Sequence, residues 1–238
     1  MKNQYFGDQH DYIKYAILRC IANSTKEKIG IHWLLTENDN RNDGNLTRYL
    51  KNENQSWARI DDELFQFLRK KQYIIEDIER RNVKYIEEEN IIPNSVFFNQ
   101  TIPKSTSERE EIIDQSLGKF KDCSFVFFDP DNGIEVKSIP LGRKNSPKYV
   151  YWKELKKFYE NNQSLIIYQH FPRINHDHFI SKKIHEFSEK FKDCHSLAIP
   201  NGNVVFFVIL NNKHSEYFNP IPIGIKIILD AIAKLRKK

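Results

Sequence analysis

Apolar positions along this chain follow two alternating patterns: short unbroken runs, and stretches with apolar residues three and four apart. The unbroken runs are Ile29-Gly30-Ile31-His32-Trp33-Leu34-Leu35, Phe125-Val126-Phe127-Phe128 and Ser164-Leu165-Ile166-Ile167-Tyr168-Gln169-His170. Runs this short and this apolar predict strands buried on both faces, as in a parallel sheet. Before the first of them, Tyr12, Ile13, Ala16, Ile17 and Ile21 predict a helix of about a dozen residues capped by Asp8 or Asp11. Leu64, Phe65 and Leu68 predict a second helix capped by Asp61 or Asp62, with 73–81 extending or following it. A third, over Ile112, Ile113 and Leu117, is announced by the capping boxes in Ser105-Thr106-Ser107-Glu108-Arg109-Glu110. Segments 46–50, 153–161, 179–191 and 225–236 also read as helices, and 82–86 and 95–98 as short strands. Pro200-Asn201-Gly202, between apolar stretches 195–199 and 203–210, predicts an antiparallel hairpin. The alternation predicts an α/β fold: Rossmann-like, a mostly parallel sheet with helices on both faces and a C-terminal antiparallel hairpin.

At 238 residues without repeats or a linker-like stretch, the expectation is a single α/β domain over 1–238. Hydrophobic residues make up 39% and charged residues 29%, with no run of eighteen apolar residues and no signal-peptide pattern. These features predict a cytoplasmic protein with no membrane partner. Cys20, Cys123 and Cys194 are too scattered for a disulfide framework or a metal knuckle and read as buried thiols. A net charge of +5, from 37 basic against 32 acidic residues, hints at a nucleic-acid partner. In the loop 137–147, rich in Gly, Pro and basic residues, Arg143 and Lys144, with Lys148 just beyond, either meet phosphates or are solvated.

Candidate chemistry gathers where the strands end. Asp129, Pro130, Asp131 and Asn132 follow the run 125–128 directly, and in open α/β sheets ligands bind beyond the carboxyl ends of strands. Pro130 stops the strand and Asn132-Gly133 supplies a turn. Gln169 and His170 end the run 164–170 at the same edge. Asn42-Asp43-Gly44 follows the first run, where a turn into a helix points amides at an anion. Before it, Gly7, Asp8, His10, Asp11 and Lys14 form a polar neighbourhood with a glycine that admits close backbone approach. His170, His176 and His178 lack a companion Glu or Cys, and zinc is not expected.

The segment Gly7-Asp8-Gln9-His10-Asp11-Tyr12-Ile13-Lys14-Tyr15 resembles the opening of bacterial 23S ribosomal RNA adenine-N6 methyltransferases and of three-Cys-motif partner proteins. Phe127-Phe128-Asp129-Pro130-Asp131-Asn132 is similar to the Asp-Pro-Pro-Tyr-like motif of amino-methyltransferases, and 149–170 to the segment that follows that motif. The Phe-Gly-Asp, Asn-Asp-Gly and Asp-Pro-Asp-Asn-Gly motifs together look like those of a bacterial family of this methyltransferase type. The resemblance implies a class I methyltransferase fold, S-adenosylmethionine as cofactor and an exocyclic amine, adenine N6 in RNA or DNA, as target. It implies that Asp129 and the Pro130 carbonyl orient the amine, with Asp131 and Asn132 beside them and Lys14 lining the pocket. It further implies that Gly7, Asp8, Asp11, Asp43 and Gly44 hold the cofactor, and that Phe128, Tyr151, Gln169 and His170 hold the substrate. One departure is plain: the Gly-x-Gly loop expected after the first strand is replaced by Leu34-Leu35-Thr36-Glu37-Asn38-Asp39, with no glycine before Gly44.

Two other readings follow from the same residues. In one, Asp43, Asp129, Asp131 and Glu135 bind Mg²⁺ and activate water at a phosphate, giving a nuclease or hydrolase of the phage-defence kind. In the other, the fold is a binding module without catalysis.

Overall fold

Phe125-Val126-Phe127-Phe128 is the strand on which the sheet is built, because β-branched and aromatic side chains on both faces favour an extended chain buried between layers. The structure, a computed structural model, describes residues 1–39, 43–51 and 56–236. Arg41 and Asn42 of the polar loop and Lys237-Lys238 of the basic end lie outside the described residues.

The strands are β1 (Ile29–His32), β2 (Ser95–Phe98), β3 (Phe125–Phe128), β4 (Gly133–Ile134), β5 (Tyr149–Val150), β6 (Ser164–His170), β7 (His195–Asn201) and β8 (Val204–Leu210). The helices are α1 (Gln9–Thr25), α2 (Asp62–Lys70), α3 (Gln72–Ile75), α4 (Lys84–Glu88), α5 (Thr106–Lys119), α6 (Trp152–Glu160), α7 (His176–Lys190) and α8 (Ile223–Arg236). Six strands form one sheet in the order β2-β1-β3-β6-β8-β7, and β4 and β5 form a separate two-stranded ladder. β2, β1, β3 and β6 run parallel, while β8 runs antiparallel to both of its neighbours. The fold is a Rossmann-like α/β fold, as the alternation of patterns predicts.

The chain forms two compact units from interleaved segments. The first comprises Met1, Glu27–Thr36 and Ser95–Phe218, and so holds every strand together with α5, α6 and α7. Val126, Phe128, Leu165, Ile167, Val205, Phe207 and Ile209 on one sheet face join Ile113 of α5, Leu155 and Phe158 of α6, and Phe179 and Phe187 of α7 in one apolar core. The opposite-facing residues Ile29, Ile31, Phe125, Phe127 and Ile166 are equally buried. The second unit comprises Lys2–Lys26, Glu37–Asn94 and Asn219–Lys238, in which α1 packs on α8 and α2.

Several local expectations are corrected. Residues 82–86, read as a strand, run into α4, which starts at Lys84; just before it the Asn82 carboxamide accepts the Lys84 N–H at 2.9 Å, a local bond that competes with extended pairing. The stretch 73–81, expected to extend or follow α2, follows it as α3 and a 3₁₀ turn at Ile78–Arg80 started by the Asp77 side chain. α1 spans 17 residues, because Asp8 rather than Asp11 caps it. Of the three thiols only Cys123 is buried; Cys20 and Cys194 are partly exposed. No described helix is long and apolar enough to cross a membrane.

Candidate functional site

The parallel register aligns the carboxyl ends of the strands: His32 of β1 pairs with Phe98 of β2 and with Phe128 of β3, which in turn pairs with Ile167 of β6. Asp129 extends the ladder one step, its N–H donating to the His32 carbonyl at 3.1 Å. Pro130 has no N–H to donate and the strand ends there. Asp129 and Pro130 are both buried. The Met1 amine donates to the Asp129 carbonyl at 2.8 Å and lies 2.8 Å from the Asp131 carboxylate. The other Asp131 oxygen accepts the Thr36 hydroxyl at 2.8 Å, and the Thr36 N–H donates to the Met1 carbonyl. Asp131, though only 5% exposed at its side chain, therefore sits between a cation and a hydroxyl, which compensates its desolvation.

Asn132 and Gly133 carry the chain into β4. The Asn132 N–H donates to the Lys148 carbonyl at 2.8 Å, and β4 pairs with β5 immediately after. Gly133 has a φ of +108°, and a Cβ there would stand 2.2 Å from the Gln169 Oε1. With only a hydrogen in that place, the Gln169 carboxamide reaches under the loop. It accepts the Ile134 N–H at 2.8 Å and donates to the Asn132 carbonyl at 3.1 Å and to the His170 carbonyl at 2.6 Å. Gln169, expected to hold substrate, is spent on fixing the Asp129–Gly133 loop. His170 next to it is exposed, its ring edge-on to Tyr168.

The two expected stacking residues are packed inside. Phe128 is fully buried, edge-to-face with Phe158 at 5.0 Å. Tyr151 lies with its ring under the Arg109 guanidinium at 5.0 Å and its hydroxyl donating to the Ile139 carbonyl at 3.0 Å; burial pushes its pKa up to about 12. Glu135 caps α6 by accepting the Trp152 N–H at 2.8 Å. Arg109 itself has no place in the motif reading. It is buried and forms a two-pronged pair with Glu154 at 2.6 and 3.0 Å, and donates to the Ser146 and Tyr149 carbonyls. Its signal in the sequence is its spacing, since Arg109, Ile113 and Ser116 fall on one helical face and all three are buried.

The remaining candidates belong to the second unit. Asp8 caps α1, accepting the His10 N–H at 2.8 Å and the Leu46 N–H at 2.9 Å. Asp11 accepts the Lys14 ammonium at 2.7 Å and the Tyr15 hydroxyl at 2.9 Å, so Lys14, read as lying at the edge of the buried stripe, is buried in an ion pair. A Cβ on Gly7 would meet Ile75 at 2.6 Å, and one on Gly44 would meet the Tyr5 ring at 2.7 Å. The Gly44 carbonyl accepts Arg81 at 2.6 Å, which also donates to the Ile75 and Gln4 carbonyls, while Asp43 is exposed and its carbonyl accepts Gln4. The space that glycine leaves at 7 and 44 is thus filled by side chains of the same unit. In this unit they hold α1 and the 43–46 turn in place. Leu34 and Leu35, where a Gly-x-Gly loop would lie, are buried.

Among the described residues no group of three or more His, Cys, Asp or Glu is placed to hold a metal ion. Compared with known protein families, with curated proteins and with solved structures, the chain matches none.

Proposed function

We propose that the sheet-bearing unit acts on an exocyclic amine of a nucleobase in RNA or DNA, adenine N6 being the target, as a protein of class I methyltransferase type. One observation carries the reading: the order β2-β1-β3-β6-β8-β7, with the last strand reversed and inserted between β6 and β7. A last strand that returns antiparallel beside the one before it is what the resemblance to class I methyltransferases implies, and β8 runs so beside β7. The order also reverses between β1 and β3, and crevices at such switch points are where open α/β sheets bind ligands. Asp129 follows β3 at that point. Its carboxylate and the Pro130 carbonyl serve as acceptors for the amine hydrogens, and the base reaches them unpaired or flipped out of its stack. S-adenosylmethionine, when bound, supplies the methyl group; no residue of this chain is assigned to hold it.

The filled spaces at Gly7 and Gly44 favour a second reading, a binding module of the same fold without catalysis. Calorimetric titration with S-adenosylmethionine, together with transfer of labelled methyl to adenine-containing oligonucleotides, separates the two. Methyl transfer is expected to fall at least about tenfold in Asp129→Asn with cofactor affinity unchanged, and to fall less in Asp131→Asn. Absence of both cofactor binding and transfer leaves the binding module. A melting-temperature rise with Mg²⁺ that either substitution abolishes, with no response to S-adenosylmethionine, transfers the assignment to a metal-dependent hydrolase.

A further inference from the structure

The segment 136–148, between β4 and β5, contains Lys137, Arg143, Lys144 and Lys148 and no acidic residue. The segment therefore carries a formal charge of +4 in thirteen residues. None of the four has an acidic partner among the described residues, and Lys137, Arg143 and Lys144 are exposed. Three other lysines of the same unit are paired, Lys157 with Asp114 at 2.6 Å, Lys183 with Glu186 at 2.6 Å and Lys156 with Glu160 at 3.5 Å. Clustered like charges repel one another and cost stability, so a surface that leaves them unpaired is suited to a partner that brings the counter-charge.

The backbone bearing these cations is held from below. Tyr151 bonds the Ile139 carbonyl, and Arg109 bonds the Ser146 and Tyr149 carbonyls. The Lys148 carbonyl accepts the Asn132 N–H, so the loop is stitched directly to the Asp129–Gly133 turn. Arg109 contributes no charge to the outside, because Glu154 neutralises it. The result is a basic surface fixed beside the candidate site, with the ordering cost already met by the fold.

We propose that 136–148 is a docking surface for the phosphate backbone of a single-stranded nucleic acid, gripping the strand beside the Asp129 loop. The choice of nucleic acid rests on the function proposed above; the cationic surface does not. The test is fluorescence anisotropy with labelled single-stranded 20-nucleotide RNA and DNA over a range of KCl, with no S-adenosylmethionine present. For single strands each phosphate contact contributes about 0.7 to the slope of log affinity against log salt. The variant with Lys137, Arg143, Lys144 and Lys148 all changed to Gln is therefore expected to lose about 3 from that slope, and at least about tenfold in affinity at 100 mM salt. Lys28→Gln, an exposed lysine just before β1, should change neither by as much as a single contact. An unchanged slope in the fourfold variant, an equal loss in Lys28→Gln, or binding to phosphatidylglycerol vesicles but not to oligonucleotides would overturn the proposal. Oligonucleotide binding through this loop without methyl transfer overturns the reaction alone; methyl transfer with an unaltered slope in the fourfold variant overturns the docking surface alone.

Discussion

At Gly133 a single hydrogen occupies the space through which Gln169 reaches the backbone of the Asp129 loop. Gly133→Ala sets a Cβ 2.2 Å from the Gln169 carboxamide and strains a φ of +108°, and is expected to cost about 2–4 kcal/mol, read from the urea midpoint. Gln169→Ala leaves the Ile134 N–H buried without an acceptor, for about 1–3 kcal/mol. The double variant should cost less than the sum, because removing Gln169 removes the clash. His32 carries a second residue-scale prediction. Its Nδ1 accepts the Leu34 N–H at 3.3 Å, which leaves the proton on Nε2, among the rings of Phe98, Phe120 and Phe128 with no hydrogen-bond partner among the described residues. Burial, with the Arg109 charge and the nearby terminal amine, lowers its pKa from 6.5 to about 3. The unfolded chain therefore takes up a proton below pH 6.5 that the folded chain refuses until about pH 3, and stability falls across that window as pH drops. The slope from this one group is about 1.4 kcal/mol per pH unit. Comparing wild type and His32→Phe by urea unfolding at pH 7 and pH 5 should show wild type losing roughly 2 kcal/mol more. At this scale the sequence locates groups better than it assigns them. Asp129 and Gln169 lie at the edge where the apolar runs point, yet that Gln169 serves the loop depends on a hydrogen at position 133, 36 residues earlier in the chain. Lys14 and Asp11 are spaced to pair along a helix, but only packing decides that they do so out of water.

Among the elements, α5 and α6 are tied to the β4–β5 ladder by the buried Arg109–Glu154 pair. Removing one member of such a pair leaves a buried charge without compensation. Arg109→Met is expected to cost about 3–5 kcal/mol, and Arg109→Met/Glu154→Leu to recover much of it, measured by urea unfolding. The freed Ser146 and Tyr149 carbonyls should make 136–148 the first cleavage point in limited proteolysis of the single variant. Strands and long helices are legible because their periodicities repeat over enough residues to be read, and Ser105 and Asp61 start α5 and α2 as their capping spacing predicts. The two-residue strands β4 and β5 carry no period at all. At 82–86 the alternation of Val83 and Tyr85 suggests a strand, but the chain is helical from Lys84, with the Asn82 carboxamide accepting the Lys84 N–H just before it.

For the molecule as a whole, the class of fold follows from alternating runs and helices, and the closing hairpin from its turn residues. The order of strands does not, since nothing local in β8 states that it inserts between β6 and β7 rather than adding at an edge. Nor do the two compact units show as a boundary, because each is assembled from separated segments and no linker divides them. The position of β8 also sets a timetable for the ribosome. β6 ends at His170 and its partner on that side begins at Val204, so the apolar edge of β6 stays bare until a further 34 residues have been made. At about 5–20 residues per second that interval is roughly 2–7 s. During it, Leu165, Ile166 and Ile167 present an unpaired β edge to whatever is nearby, and a chain interrupted before Val204 keeps that edge permanently. The inserted strand thus makes the sheet's last-synthesised segment the one that shields its middle, and incomplete chains of this protein are candidates for capture by chaperones or by one another.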